Sequence, residues 1–349
     1  MTRRLEIAGR VIDDGSDAFV IAEVGHNHQG DLETAKRMFK AAAECGADAV
    51  KLQKRDNRAL FTRELYDQPY LHENSYGATY GAHREFLEFG RAEYEELKAY
   101  AAELGLVMFA TAFDHASADF LAELDMPAFK VASGDLTNTP LLEHIASFGR
   151  PVILSTGGAT LEDVERAYQT VAELNPQVAI LQCTASYPCE PADMNLNVIR
   201  TYRQRFPRAV IGLSDHQSGI AMATVAYVLG ARIIEKHFTL NRAWKGTDHR
   251  FSLEPVGLRK LVRDLRRARV ALGDGVKRPL ACEEGALYKM GKKLVAARRL
   301  PAGTVLRESD VAAKSPGGGL PPYELERVLG RRLKRELAPD EAIRFEDLE

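Results

Sequence analysis

His216 and His237 each follow a short β-branched run, at residues 209–213 and 232–236, and each sits in a polar cluster, Ser214-Asp215-His216 and Glu235-Lys236-His237. Residues 220–229 between them are apolar with small side chains interspersed, which suits a helix packed on a sheet. A strand, helix and strand of these lengths make a right-handed crossover, so the strands are parallel neighbours. Both histidines then fall at the same carboxyl-terminal sheet edge, where α/β sheets and barrels bind their ligands. A lone histidine in such a place is usually a packed core or surface residue. Two at equivalent strand ends suit a divalent transition metal with most positions left for water or substrate.

The elements that must position them repeat along the chain. Strand-like runs are expected at residues 18–22, 49–53, 106–110, 128–131, 151–154, 178–182, 209–213 and 232–236, each ending in polar residues. Asp31 caps a first helix with Ala35, Met38, Phe39 and Ala42 on one face, and further helices are expected at 92–104, 115–124, 161–174, 197–206, 220–229 and 254–272. Residues 54–90 lack a clear period but are rich in Tyr, His, Asn and Gly, which predicts an ordered loop over the sheet edge. Eight such units within residues 1–272 match the size of a (β/α)₈ TIM barrel, an α/β fold.

If the strands converge on one mouth, it receives Glu23, Lys51, Gln53, Thr111, Lys130, Ser133, Asp135, Ser155, Tyr187, Ser214, His216, Lys236 and His237. Lys51 and Lys130 with Ser133, Ser155 and Ser214 make an anion site of the phosphate type, with point charge from lysine and donors from hydroxyls and loop amides. Singly, a strand-end serine is a cap and a lysine reaches water; their coincidence is what counts. Glu23 and Asp135 are the acid–base candidates.

Composition sets the outer limits. The chain has 349 residues, 45% of them apolar, enough for one large and one small domain. Lys and Arg total 47 against 49 for Asp and Glu, which gives no positive excess for nucleic acid. The start lacks the apolar run of a signal peptide and no stretch has the length of a membrane span, so a cytoplasmic protein is expected. Four cysteines without zinc-type spacing are expected to be reduced thiols. Residues 273–291 read as a linker, and 292–349, with β-branched runs between Pro and Gly turns, as a small β-rich domain. Its basic run at 331–335 is a solvated face, flanked by Glu324, Glu326, Glu336, Asp340 and Glu341. A metal-dependent hydrolase on the same barrel would show more protein ligands to its metal, and a sugar- or ice-binding module would leave the charged mouth unexplained.

The runs IAEVGHNHQG (21–30), VKLQK (50–54), NSYGATYGAHR (74–84), FKVASGD (129–135), LSTGG (154–158), QCTASYP (182–188), GLSDH (212–216), EKHFTL (235–240) and WKGTDHRFSLEP (244–255) resemble the sialic acid synthase family. The C-terminal segment resembles that family's antifreeze-like SAF domain, a β-clip. The resemblance implies a phosphoenolpyruvate-dependent C–C bond-forming transferase that condenses phosphoenolpyruvate with the open-chain aldehyde of N-acetylmannosamine or its 6-phosphate. Carried over by position, His216 and His237 bind manganese, or magnesium or cobalt in its place. Lys51, Lys130, Ser133, Ser155 and Ser214 hold phosphoenolpyruvate, Gln53, Asn74, Asp135, Tyr187 and Asp248 face the sugar, and Glu23 handles a proton. A domain-swapped homodimer is also implied.

Two departures bear on the sugar. Bacterial members acting on free N-acetylmannosamine often carry Asn in the run that here reads Cys183-Thr184-Ala185-Ser186-Tyr187, and Arg where this chain has Lys314-Ser315 before Pro316-Gly317. In QCTASYP and WKGTDH the chain resembles the animal-type enzymes, associated with 6-phosphorylated mannose sugars. The acceptors left open are N-acetylmannosamine, its 6-phosphate, a mannose leading to KDN, and modified sugars leading to pseudaminic or legionaminic acid.

Overall fold

A computed structural model describes residues 3–349. It opens with an antiparallel hairpin of β1 (Arg4–Ile7) and β2 (Arg10–Asp13). Eight parallel strands follow and close into a barrel: β3 (Phe19–Gly25), β4 (Ala49–Lys54), β5 (Val107–Ala112), β6 (Phe129–Val131), β7 (Val152–Ser155), β8 (Val178–Cys183), β9 (Val210–Asp215) and β10 (Ile233–His237). Each strand pairs with the next in the chain, and β10 returns to β3. Most run one to three residues beyond their expected ends, because ladder pairing continues into polar residues that a hydrophobic run does not reveal.

Period-two alternation sorts the side chains. One face, with Val20, Ala22, Val50 and Leu52, packs against the surrounding helices. The other points into the barrel, where Phe19, Ile21, Ala49, Val107, Phe109, Ala128, Ile153, Leu181, Val210 and Ile233 form a closed apolar layer. Leu5, Ile7 and Ile12 of the amino-terminal hairpin belong to that layer, so the hairpin plugs the barrel end opposite the mouth. Each large apolar side chain buried there contributes about 1.5–3 kcal/mol. Gly212 occupies an inward position where a Cβ would lie 2.4 Å from Leu181 and 2.5 Å from the Ile233 carbonyl, so only glycine lets β8, β9 and β10 approach.

The helices are α1 (Leu32–Glu44), α2 (Asn57–Leu60), α3 (Arg63–Asp67), α4 (Tyr80–Leu87), α5 (Arg91–Glu103), α6 (His115–Glu123), α7 (Thr139–Ser147), α8 (Leu161–Leu174), α9 (Val198–Arg205), α10 (Ala221–Val228) and α11 (Pro255–Leu272). Local chemistry starts several of them: Asp31 accepts from the Thr34 amide at 2.8 Å, Asp114 from Ser117 at 2.7 Å, and Thr160 with Asp163 makes a capping box. The region at 54–90, expected as an ordered loop, holds α2, α3 and α4 instead. Short helices of this kind are fixed by tertiary packing more than by period. Within residues 3–273 the amino-terminal hairpin also had no counterpart in the sequence reading, nor did α7, whose Pro140 stands in the first turn, where proline is tolerated.

Contacts divide the chain after Gly273. The second unit, Asp274–Glu349, holds α12 (Glu284–Met290) within the stretch expected as a linker, then β11 (Lys293–Ala296), β12 (Val311–Lys314) and α13 (Leu325–Val328). β11 and β12 pair antiparallel, and Leu294, Leu300, Leu306, Leu333, Leu337, Ile343 and Leu348 form its own core. The basic run at 331–335 buries Leu333 and leaves Arg335 on the surface, paired with Glu341 and Asp347. All four cysteines are free. Among the described residues no helix is long and apolar enough to cross a membrane.

Candidate active site

Above the apolar layer, the inward positions of the same strands turn polar. The barrel mouth opens into a cavity of about 660 Å³, lined by Glu23, Lys51, Gln53, Asn74, Ser133, Ser155, Tyr187, Ser214, His216, His237 and Asp248 among others. That volume suits a small-molecule site. Lys130 lies just beneath the wall, its Nζ donating to Ser155 Oγ at 2.6 Å. Asp135 is not brought into the wall; its carboxylate accepts from Asn138 at 3.3 Å.

Lys236 departs from the expectation that it shares the mouth with His237. One residue along a strand reverses the face. Glu235 and His237 point inward, whereas Lys236 points into the layer beneath the helices and binds Asp215 at 2.7 Å and the Gln217 carbonyl. Glu235 therefore takes the place at the mouth given to Lys236, and the alternation within IIEKH was the signal for it.

The cavity floor is a charge network. Lys51 Nζ lies 2.7 Å from Glu23 Oε2, 2.7 Å from Thr111 Oγ1 and 3.9 Å from Glu235 Oε1. Ser214 Oγ donates to Glu235 at 3.2 Å. Burial raises both carboxylic acids, and Lys51 opposes it in each. At Glu23 burial prevails and the carboxyl is pushed up to about 7. At Glu235 the Lys130 and Lys51 charges prevail and hold it below the usual range. Burial lowers Lys130 as well.

Two loops complete the wall. Asn74 is fixed by the Gly246 amide, which donates to its Oδ1 at 2.9 Å, and Tyr187 packs on His216 with ring centroids 4.1 Å apart. Gly25 has φ +52, and a Cβ there would sit 3.2 Å from Glu23, 3.3 Å from Gln53 and 3.6 Å from Asp248; its bareness keeps the meeting point of these three side chains open.

The rings of His216 and His237 are 5.5 Å apart. Burial lowers both, His216 to about 4, so each is neutral at pH 7. His216 Nδ1 lies 2.9 Å from the Thr184 carbonyl, which can only accept, so the proton is on Nδ1 and the Nε2 lone pair is free. His237 Nδ1 is buried without a hydrogen-bond partner, 3.7 Å from Asp248. Two neutral imidazoles, one with an orphaned nitrogen, fit a divalent cation. Among the described residues no group of three or more His, Cys, Asp and Glu side chains is arranged to hold one, so a cation here would rest on two protein nitrogens.

Comparison with known proteins decides the family. A sequence model of the NeuB family matches residues 38–277, well over half of the chain. The chain belongs to the NeuB family. A SAF domain model matches residues 293–349 of the same chain. An N-acetylneuraminate-9-phosphate synthase of Mus musculus is 42% identical over 351 residues, covering 100% of this chain and 98% of that protein. An N,N'-diacetyllegionaminic acid synthase of Legionella pneumophila is 35% identical, covering 95% and 94%. The crystal structure of an N-acetylneuraminic acid (sialic acid) synthetase from Leptospira borgpetersenii, in complex with citrate, superposes with a TM-score of 0.72 at 34% identity, covering 82% of this chain and 95% of that one.

In this NeuB-family barrel the nine runs singled out in the sequence supply most of the cavity wall. The sequence reading missed Glu235, Arg55, Arg84 and Arg250, which also line it. Arg84 and Arg250 lay inside quoted motifs, but a single arginine in a loop carries no sign of where its side chain points.

Proposed function

We propose that this NeuB-family transferase condenses phosphoenolpyruvate with the open-chain aldehyde of N-acetylmannosamine 6-phosphate, releasing inorganic phosphate and giving N-acetylneuraminate 9-phosphate. The observation that carries the reading is the polar layer on the inward face of the strands, where buried Lys51, hydroxyls and a proton-exchanging carboxyl line one cavity and Lys130 lies just beneath its wall. The 42% identity to an N-acetylneuraminate-9-phosphate synthase supports the choice of acceptor.

Lys51 and Lys130, both buried, hold the phosphate and carboxylate of phosphoenolpyruvate together with Ser133, Ser155 and Ser214. Gln53, Asn74, Tyr187 and Asp248 orient the sugar, so that C3 of the enol reaches its C1 carbonyl. The new C–C bond leaves a cation at C2, and water adds there. Glu23, its carboxyl poised near neutrality, takes a proton from that water, which balances the proton that the aldehyde oxygen gains as it becomes a hydroxyl. The tetrahedral carbon then expels phosphate, whose charge the lysines stabilise, and the 2-keto acid remains.

His216 and His237 would hold a divalent cation, manganese in this proposal. Such an ion supplies a Lewis acid toward the acceptor's carbonyl oxygen. The assembly proposed is a cytoplasmic, domain-swapped homodimer in which the SAF-like unit of one chain caps the barrel mouth of the other. The Gly-rich, Pro-flanked stretch 315–322 is suited to lie close against a ligand.

The test is phosphate release from phosphoenolpyruvate with N-acetylmannosamine, its 6-phosphate, mannose 6-phosphate and the diacetamido sugars that lead to legionaminic and pseudaminic acids. The 6-phosphate of N-acetylmannosamine is expected to give the highest kcat/KM. A higher value for a diacetamido sugar reassigns the product within the family. Chelation is expected to abolish turnover with the fold retained by circular dichroism, and manganese to restore it; full turnover in protein shown metal-free by elemental analysis removes the metal from the proposal.

A further inference from the structure

Arg55 and Arg84 stand on opposite sides of one imidazole. Arg55 Nη1 lies 3.2 Å from His26 Nε2, and Arg84 Nη1 lies 3.3 Å from His26 Nδ1. A neutral imidazole offers one lone pair, so only one guanidinium is accepted and the other faces an N–H. Protonating the ring would make both contacts repulsive.

The charge is poorly balanced as well. Glu88, 3.3 Å from Lys54 and 3.8 Å from Arg55, is the carboxylate for both of those cations. Arg84 donates to Tyr80 Oη at 2.9 Å and makes no ion pair within 4 Å among the described residues, the Asp248 carboxylate acting on it only at longer range. Both guanidiniums nevertheless line the cavity. A half-buried arginine fixed by neutral partners and turned to a cavity is an anion receptor, since its planar fork matches phosphate oxygens.

The position of the pair in the wall indicates which anion. Arg55 Nη2 donates to Gln53 Oε1 at 2.7 Å, and Gln53 Nε2 donates to Glu23 at 2.8 Å, so a continuous chain of hydrogen bonds leads from the floor carboxyl to Arg55, beside Arg84. The lysine and serine subsite stands on other strands, β6, β7 and β9, beyond Lys51. An acceptor lying along Gln53 with its aldehyde at the floor has its far end at Arg55 and Arg84.

We infer that Arg55 and Arg84, bridged by His26, form a second anion subsite that binds the terminal phosphate monoester of the acceptor sugar and sets selectivity for a phosphorylated acceptor. The inference rests on the sugar 6-phosphate reading given above. An entering phosphate accepts from both guanidiniums and releases the contact that His26 cannot satisfy.

The test compares N-acetylmannosamine 6-phosphate with N-acetylmannosamine in the wild type, Arg84→Met and Arg84→Lys, with the KM for phosphoenolpyruvate measured in each. Methionine keeps the apolar stem against Tyr80 and removes the charge; lysine keeps the charge and loses the fork. Arg84→Met is expected to lower the preference for the phosphorylated acceptor at least tenfold through its KM, with the KM for phosphoenolpyruvate changed less than twofold, and Arg84→Lys to fall between. Equal loss on both acceptors, or a parallel rise in the KM for phosphoenolpyruvate, overturns the subsite while the acceptor reading stands. A wild type without preference for the phosphorylated acceptor overturns that reading, and the subsite with it.

Discussion

Glu23 and Glu235 lie on neighbouring strands, both almost fully buried, and both face Lys51. Their environments nonetheless drive them apart, because Lys130 adds a second positive charge to the field at Glu235 while burial dominates at Glu23. Carboxyl pairs split in this way assign their own roles: Glu23 exchanges a proton near neutrality and Glu235 stays ionised as the counter-charge of the lysines. A base is active when deprotonated, so kcat/KM is expected to rise tenfold per pH unit below about pH 7 and to level off above it. In Glu23→Gln that rising limb should vanish and kcat fall by roughly 10²–10⁴-fold; a limb that persists in the variant assigns the base elsewhere. Lys130→Ala removes a desolvated cation and leaves Glu235 less compensated, so the affinity for phosphoenolpyruvate should weaken by about 2–5 kcal/mol in calorimetry.

At the scale of elements, β9 and β10 carry the two histidines and are clamped together on their outer face. Lys236 and Asp215 form a buried ion pair at 2.7 Å between the adjacent strands, directly behind His216 and His237. Breaking such a pair leaves one charge unpaired in a low-dielectric layer and costs about 3–5 kcal/mol, whereas replacing both partners by apolar residues is close to neutral. Lys236→Met should thus lower the denaturant midpoint strongly, and Lys236→Met with Asp215→Leu should recover most of the loss. Equal destabilisation in the single and double variants shows that packing, not charge, holds these strand ends.

For the whole molecule, the division of the barrel interior separates stability from chemistry. The hairpin plug and apolar layer close one end, and the polar layer opens at the other, so substitutions in the mouth leave the main core untouched. The second unit has a small core of its own. A chain ending at Gly291 is expected to keep a folded barrel by circular dichroism and to lose most turnover, as the proposed cap would be missing. Mixing it with full-length Glu23→Gln chains should restore part of the activity, since an intact barrel then meets a cap from its partner. Full activity of the truncated chain, or of a full-length monomer at assay concentration, rules out capping in trans.

Strand and helix order was legible in the sequence because burial leaves a period: 18–22 and 232–236 read as strands from their runs alone, and the first helix from its stripe and its Asp31 cap. The polar residues at strand ends were legible too, so the sequence alone points to Glu23, Lys51, Ser155, Ser214, His216 and His237. Alternation, however, sorts side chains only relative to one another. Barrel closure decides which set faces inward, and it put Glu235 in the cavity and Lys236 behind it. The hairpin plug, the helices within residues 54–90 and the meeting of Arg55 with Arg84 across His26 depend on contacts between residues far apart in the chain. A local pattern cannot encode such contacts, because they form only when tertiary packing brings the segments together.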